Sequence, residues 1–206
     1  MPKNTFFNLP EEKRQTIIGA ALDEFSTYGY GKSNMNRIVE ISGIAKGSFY
    51  QYFEDKKDLY YYLVDTMGRR KLDMLAPAFE AMAENSFSRN LEEIFRIGIE
   101  FADSDPKFYK IGQDFASPAN GELMAGFLEK YQVRGTNIYM DLLTAAQKRG
   151  ELHDDVDLPL AAGMVAVLIS QTTVMAISQS SDKESRDRIL AQLVKFVERA
   201  LQKHAK

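Results

Sequence analysis

Gly43-Ile44-Ala45-Lys46-Gly47-Ser48-Phe49-Tyr50-Gln51-Tyr52-Phe53 is the stretch that decides the fold. A glycine followed by an apolar residue suits a tight turn between helices with a buried anchor. After the turn, Phe49, Tyr52 and Phe53 recur at i, i+3 and i+4, so they share one helical face and can meet a core. The other face offers Lys46, Gly47, Ser48 and Tyr50. Lysine pairs with phosphate, glycine lets a backbone approach closely, and hydroxyls bond phosphate oxygens or base edges. A short helical pattern lies upstream and a longer one downstream. The spacing predicts a helix-turn-helix with Ala45 to Gln51 as its recognition helix.

These residues also carry a resemblance. From about Leu9 to Leu63 the chain resembles the DNA-binding domain of the TetR (tetracycline repressor) family of bacterial transcription regulators. The matching residues are Phe25, Tyr28-Gly29-Tyr30, Ser33, Ile38, Gly43-Ile44, Lys46-Gly47-Ser48-Phe49-Tyr50, Tyr52-Phe53, Lys56 and Leu59, in the family's order and spacing. Two departures stand out. Ala45 replaces the usual Ser or Thr, removing a helix cap and a phosphate contact, and Val39 replaces a small Ala.

The resemblance implies an all-α chain. Residues 1–55 would form an N-terminal three-helix helix-turn-helix domain. Residues 56–206 would form a larger helical ligand-binding and dimerisation domain, with the helix at about 56–75 bridging the two. It implies a homodimer on a palindromic double-stranded DNA operator, released by a small-molecule inducer. The residues expected at the DNA are Lys32, Ser33, Asn34, Asn36, Arg37, Ala45, Lys46, Gly47, Ser48, Tyr50, Gln51, Tyr52 and Lys56. Lys46, Gly47 and Ser48 would meet bases or nearby backbone, while Ser33, Arg37, Tyr50, Tyr52 and Lys56 would fix register on phosphates.

At 206 residues the chain has room for a small reading domain and a larger partner domain, and 45% hydrophobic residues argue against disorder. There is no cysteine, so disulfides and cysteine-based zinc sites are excluded. The first residues lack the apolar run of a signal peptide, so cytoplasmic residence is expected. The net charge is −3, and residues 1–60 hold eight Lys/Arg against eight Asp/Glu. Attraction for a polyanion must therefore come from local clustering of Lys32, Arg37, Lys46, Lys56 and Lys57.

A first helix is predicted from Pro10 to about Tyr28, with Ile18, Ala21, Leu22 and Phe25 buried and Gly29 ending it. Ser33 or Asn34 caps the next, which buries Met35, Ile38 and Val39. Asp55 caps a long helix running to about Leu75 that buries Leu59, Leu63 and Met67. Beyond Pro77, helices are expected at about 78–84, 89–103, 106–116, 121–149, 158–180 and 184–203.

Other chemistries fit less well. Gly31-Lys32-Ser33 resembles the end of a phosphate-binding loop, but Ser26 stands where that loop needs glycine. His153 and His204 are the two histidines, and no nucleophile elbow or two-histidine metal motif accompanies them. Glu151, His153, Asp154, Asp155 and Asp157 cluster without calcium-loop spacing and read as a solvated cap. No catalytic residue, metal or cofactor is expected.

Leu158–Ile177 is long enough to span a bilayer, yet Ser170-Gln171-Thr172-Thr173 would sit near its middle, and Asp154, Asp155 and Asp157 flank one end without basic anchors. With Ile189–Leu201 it carries surplus apolar surface and predicts a four-helix dimer seam. Aromatic and methionine residues are dense between Phe79 and Met140. The resemblance implies an inducer cavity there, with Met67, Phe95, Phe108, Phe115, Phe127, Tyr131 and Gln171 as candidate lining for a largely apolar ligand. Two other readings stay open. One is an all-α small-molecule-binding protein or enzyme with a degenerate helix-turn-helix, and the other is a nucleoid-organising DNA binder.

Overall fold

A computed structural model describes residues 2–131, 138–179 and 182–203. The described elements are α1 (Asn4–Phe7), α2 (Glu11–Lys32), α3 (Met35–Ile41), α4 (Lys46–Tyr52), α5 (Lys56–Ala81), α6 (Phe87–Ser104), α7 (Pro106–Phe115), α8 (Gly121–Tyr131), α9 (Ile138–Lys148), α10 (Leu158–Gln179) and α11 (Lys183–Leu201), with a 3-10 turn at Pro118–Asn120. Among the described residues an isolated antiparallel bridge between Leu152 and Gln202 is the extended pairing. The chain is all-α.

Two compact units form. One comprises Met1–Leu72 with Ser104–Arg134, and the other Asp73–Asp103 with Gly135–Lys206. The boundary expected at residue 55 therefore falls inside the first unit. The reason is packing: α7 lies along α2, and the start of α5 shares its core.

Within the first unit, α2 begins behind Pro10 with Glu11 and Glu12 at the positive end of its dipole. Its buried stripe is Ile17, Ala20, Ala21, Glu24 and Phe25, so Ile18 and Leu22 sit half-exposed rather than inside. The helix breaks at Gly29, whose φ of 68° and ψ of 169° are outside the helical region, and one further turn runs to Lys32. α3 is capped by the Asn34 side chain, which accepts from the Asn36 amide. Gly43, at φ 63°, makes the turn into α4. Phe49 and Phe53 bury fully beneath it, each worth roughly 1.5–3 kcal/mol in transfer terms.

α5 does not stop before Pro77 as expected. It runs through to Ala81, absorbing the helix predicted at 78–84. Proline lacks the amide that would bond the Asp73 carbonyl, a local cost this helix bears. α1 has no counterpart in the sequence reading. Residues 132–137, part of the single helix expected at 121–149, lie outside the described residues.

The second unit packs Leu75, Phe87, Leu91, Phe95, Leu142, Leu143, Ala162, Val194 and Val197 into one core. Glu151 accepts from the Phe87 amide at 2.7 Å, and Lys203 pairs with Asp154 at 2.6 Å. Two members of the acidic loop are thus committed to structure. α10 is long and apolar enough by length and composition to cross a membrane, with mean hydropathy 1.9 and 33% of its most apolar window buried.

Candidate nucleic-acid interface

α4 presents the face its sequence promised. Lys46, Gly47, Tyr50 and Gln51 are exposed, Ser48 is half-buried, and Phe49 and Tyr52 are buried. A Cβ built on Gly47 meets nothing within 4 Å, so no intramolecular packing requires glycine there. Ala45 begins the helix without a side-chain cap. An Ala45→Ser chain is therefore expected to gain about 1 kcal/mol of stability from a restored cap. Thermal unfolding checks this, and an unchanged or lowered Tm would refute it.

Several residues expected on phosphates are engaged within the fold instead. The Arg37 guanidinium grips Glu24 through Nε at 3.1 and 2.9 Å and through Nη2, and lies 4.4 Å from the centre of the Tyr28 ring. Glu24 is buried and also accepts from the Asn34 amide at 2.6 Å. Arg37 hydrogen bonds, outweighing burial, hold the Glu24 carboxyl below the ordinary carboxylate range. The stability this lends is present above the unfolded pKa and lost as pH falls through the lowered folded one.

Lys56 donates to the carbonyls of Tyr30 at 2.7 Å and Ser33 at 3.1 Å, ending α2. Desolvation lowers its pKa. The Ser33 hydroxyl donates to the Tyr30 carbonyl at 2.7 Å, and Tyr52 packs its ring on Phe6. Lys32, Asn34 and Asn36 remain exposed beside the turn. Charge and hydroxyl content made these groups look equivalent in sequence. Hydrogen bonding within the fold separates them: Arg37, Ser33 and Lys56 are engaged, and Asn34, though exposed, caps α3 through its side chain.

Asp114 escaped the sequence reading. Its carboxylate accepts from the Tyr30 amide at 2.9 Å and from the Tyr60 hydroxyl at 2.7 Å, tying α7 and α5 to the α2 break. An acid beside Ile111 and Phe115, on the edge of an otherwise apolar helical stripe, was the available signal.

The expected ligand residues divide between the units. Tyr61, Phe115, Phe127 and Tyr131 form one aromatic cluster, with Phe127 stacked on Tyr131 at 4.4 Å and set edge-on to Phe115 at 5.3 Å. Met67 presses toward Gly112, whose added Cβ would lie 2.8 Å from the Met67 sulfur. Phe108 is buried under Arg70 at 4.9 Å. Among the described residues the buried Tyr131 hydroxyl has no partner, and desolvation pushes its pKa up to about 12. Phe95 belongs to the core of the second unit, and Gln171 is exposed on α10 of that unit. Leu72, at the end of the first unit, is exposed as well.

A groove of about 550 Å³ opens in the second unit, lined by α10, α11 and the 153–157 loop, including Leu160, Met164, Leu168 and Phe196. Leu160, Met164, Val167 and Phe196 are 62, 57, 61 and 61% exposed.

Residues 17–63 match the family model described as bacterial regulatory proteins, tetR family. The chain is 30% identical to the transcriptional regulator AcuR of Cereibacter sphaeroides over 157 residues, which cover 69% of this chain and 66% of that protein. The match thus spans just under two thirds of AcuR. A TetR family transcriptional regulator from Chloroflexus aurantiacus is similar over 99% of this chain and 100% of its own, with TM-score 0.77 and 28% identity. FadR from Bacillus subtilis, solved in complex with stearoyl-CoA, shares the fold at TM-score 0.68 and 20% identity over 89% of this chain and 96% of its own.

Proposed function

Because this chain belongs to the TetR family of bacterial transcriptional regulators, we propose that it is a homodimeric, ligand-responsive repressor that binds a palindromic operator in the cytoplasm. The observation carrying this reading is the α4 face. Lys46, Gly47, Tyr50 and Gln51 stand exposed over a rigid aromatic base, with open space at Gly47 for an approaching backbone. Each α4 would enter the major groove of one half-site. Lys32, Asn34 and Asn36 would contact flanking backbone, while Arg37, Ser33, Tyr52 and Lys56 hold the reading surface in place. The apolar surface of α10 and α11 supports the dimer.

An inducer would enter at the aromatic cluster. Tyr61, Met67, Phe115 and Phe127 suit an apolar body, and the Tyr131 hydroxyl would hydrogen-bond a polar group on it. The stearoyl-CoA bound by FadR supports an acyl-bearing ligand as the first class to try.

Selection of bound fragments from genomic DNA tests the reading, and should recover a site with two-fold symmetry. Gly47→Ala should leave folding intact, since alanine favours a helix by up to about 1 kcal/mol, while weakening binding to the recovered duplex about tenfold or more. Unchanged affinity for Gly47→Ala would remove α4 from the DNA. Recovery of no symmetric site would remove the operator.

A further inference from the structure

α4 has seven residues, a length at which a helix in water does not sustain itself. Its last turn leaves carbonyls without intrahelical donors. The Phe53 amide takes the Phe49 carbonyl at 2.9 Å. The three that follow are each met by the N-terminal segment. Lys3 Nζ donates to the Tyr50 carbonyl at 2.8 Å, the Thr5 hydroxyl donates to the Gln51 carbonyl, and the Lys3 amide donates to the Tyr52 carbonyl at 2.8 Å. The Lys3 ammonium also sits at the negative end of the α4 dipole.

The segment is itself fixed. Phe6 is fully buried, with ring centres 4.9 Å from Phe53, 5.6 Å from Tyr62 and 6.3 Å from Tyr52. Arg14 Nη1 donates to the carbonyls of Phe7 at 2.5 Å and Leu9 at 3.2 Å, anchoring the segment's other end to α2. At its N-terminal end α4 has no side-chain cap. Polar anchoring by side chains is therefore concentrated at the C-terminal end.

We infer that Lys3, Thr5 and Phe6 form a strap that sets the position of the recognition helix, so that Lys3 and Thr5 determine DNA affinity as positioning residues without touching DNA. The inference rests on the reading of α4 as the DNA-contacting helix. Lys3 Nζ is directed at the Tyr50 carbonyl, and the Thr5 hydroxyl at that of Gln51, the last exposed residue of the α4 face.

The test uses the full chain and a duplex recovered by the fragment selection. Lys3→Met keeps the stem and removes the ammonium, and Thr5→Val keeps the shape and removes the hydroxyl. Each should weaken duplex binding about 3- to 10-fold, with the dependence on salt unchanged. Hydrogen exchange at the Tyr52 and Phe53 amides should quicken in both, and Lys3→Arg should restore affinity. A salt slope reduced by about one unit in Lys3→Met would make Lys3 a phosphate contact and overturn the inference. Unchanged affinity in Thr5→Val would overturn it too. Lys46→Ala serves as the separate control. If Lys46→Ala and Gly47→Ala bind as wild type, the reading of α4 itself fails. If they weaken binding while the strap variants do not, the strap alone fails.

Discussion

Val167→Glu combined with Phe196→Glu is expected to give a folded monomer that binds a two-half-site duplex about 10²- to 10⁴-fold more weakly. Both side chains are 61% exposed, so a carboxylate at either costs the single chain little. In the proposed dimer each would face an apolar partner, where a desolvated and unpaired charge is costly. Losing the dimer converts one bivalent event into two independent ones, which is the origin of the large factor. The choice of residue matters here. Val197, a natural target from the sequence pattern, is 2% exposed and belongs to the core of its own unit, so a charge there would unfold the chain instead of separating the dimer. Sedimentation at micromolar concentration decides the matter. A double variant that still sediments as a dimer would rule out the α10–α11 seam.

Gly29→Ala is expected to destabilise the first unit by about 3–5 kcal/mol, from two separate costs. The backbone sits at φ 68° and ψ 169°, a region that side chains other than glycine's enter at a cost of roughly 1–3 kcal/mol. A Cβ there would lie 2.7 Å from Asp114 Oδ1. The carboxylate cannot swing aside without releasing the Tyr30 amide and the Tyr60 hydroxyl, and hydrogen bonds to a charged group are worth about 1.5–3 kcal/mol. Urea unfolding measures the loss, and a value below about 1 kcal/mol would show that the contact relaxes freely. In an Asp114→Ala background the alanine at 29 should cost less, because the clash is gone.

The same contact bears on switching. The sequence reading placed Lys56, at the start of the helix expected to bridge the two domains, on the phosphates. Lys56 instead closes the α2 break through the Tyr30 and Ser33 carbonyls, and Asp114 of α7 grips that break from another side. In the proposed mechanism, a ligand that displaces α7 at the aromatic cluster would move the base of the helix-turn-helix through Asp114.

The helix α4 and its buried face were legible because their evidence is local. Phe49, Tyr52 and Phe53 obey the helical period, Gly43 marks the turn, and the resemblance covers the same residues. The long apolar helices near the C-terminal end were legible for the same reason, as was the break at Gly29. The extent of α5 was not, because Pro77 is a strong local stop that tertiary packing overrode.

Local periodicity and the resemblance together determined that this chain is all-α and TetR-like, and pointed to α4 as the helix proposed to meet DNA. The three-dimensional packing alone decided which polar groups are free. Arg37 is paired with Glu24 across 13 positions, Tyr30 with Asp114 across 84, and Lys3 with Tyr50 across 47. A helix's period of 3.6 residues is written in neighbouring side chains, so it can be read along the chain. Which distant donor meets which acceptor depends on how the helices pack, and a lysine, arginine or serine carries the same letter whether it faces water or a buried partner.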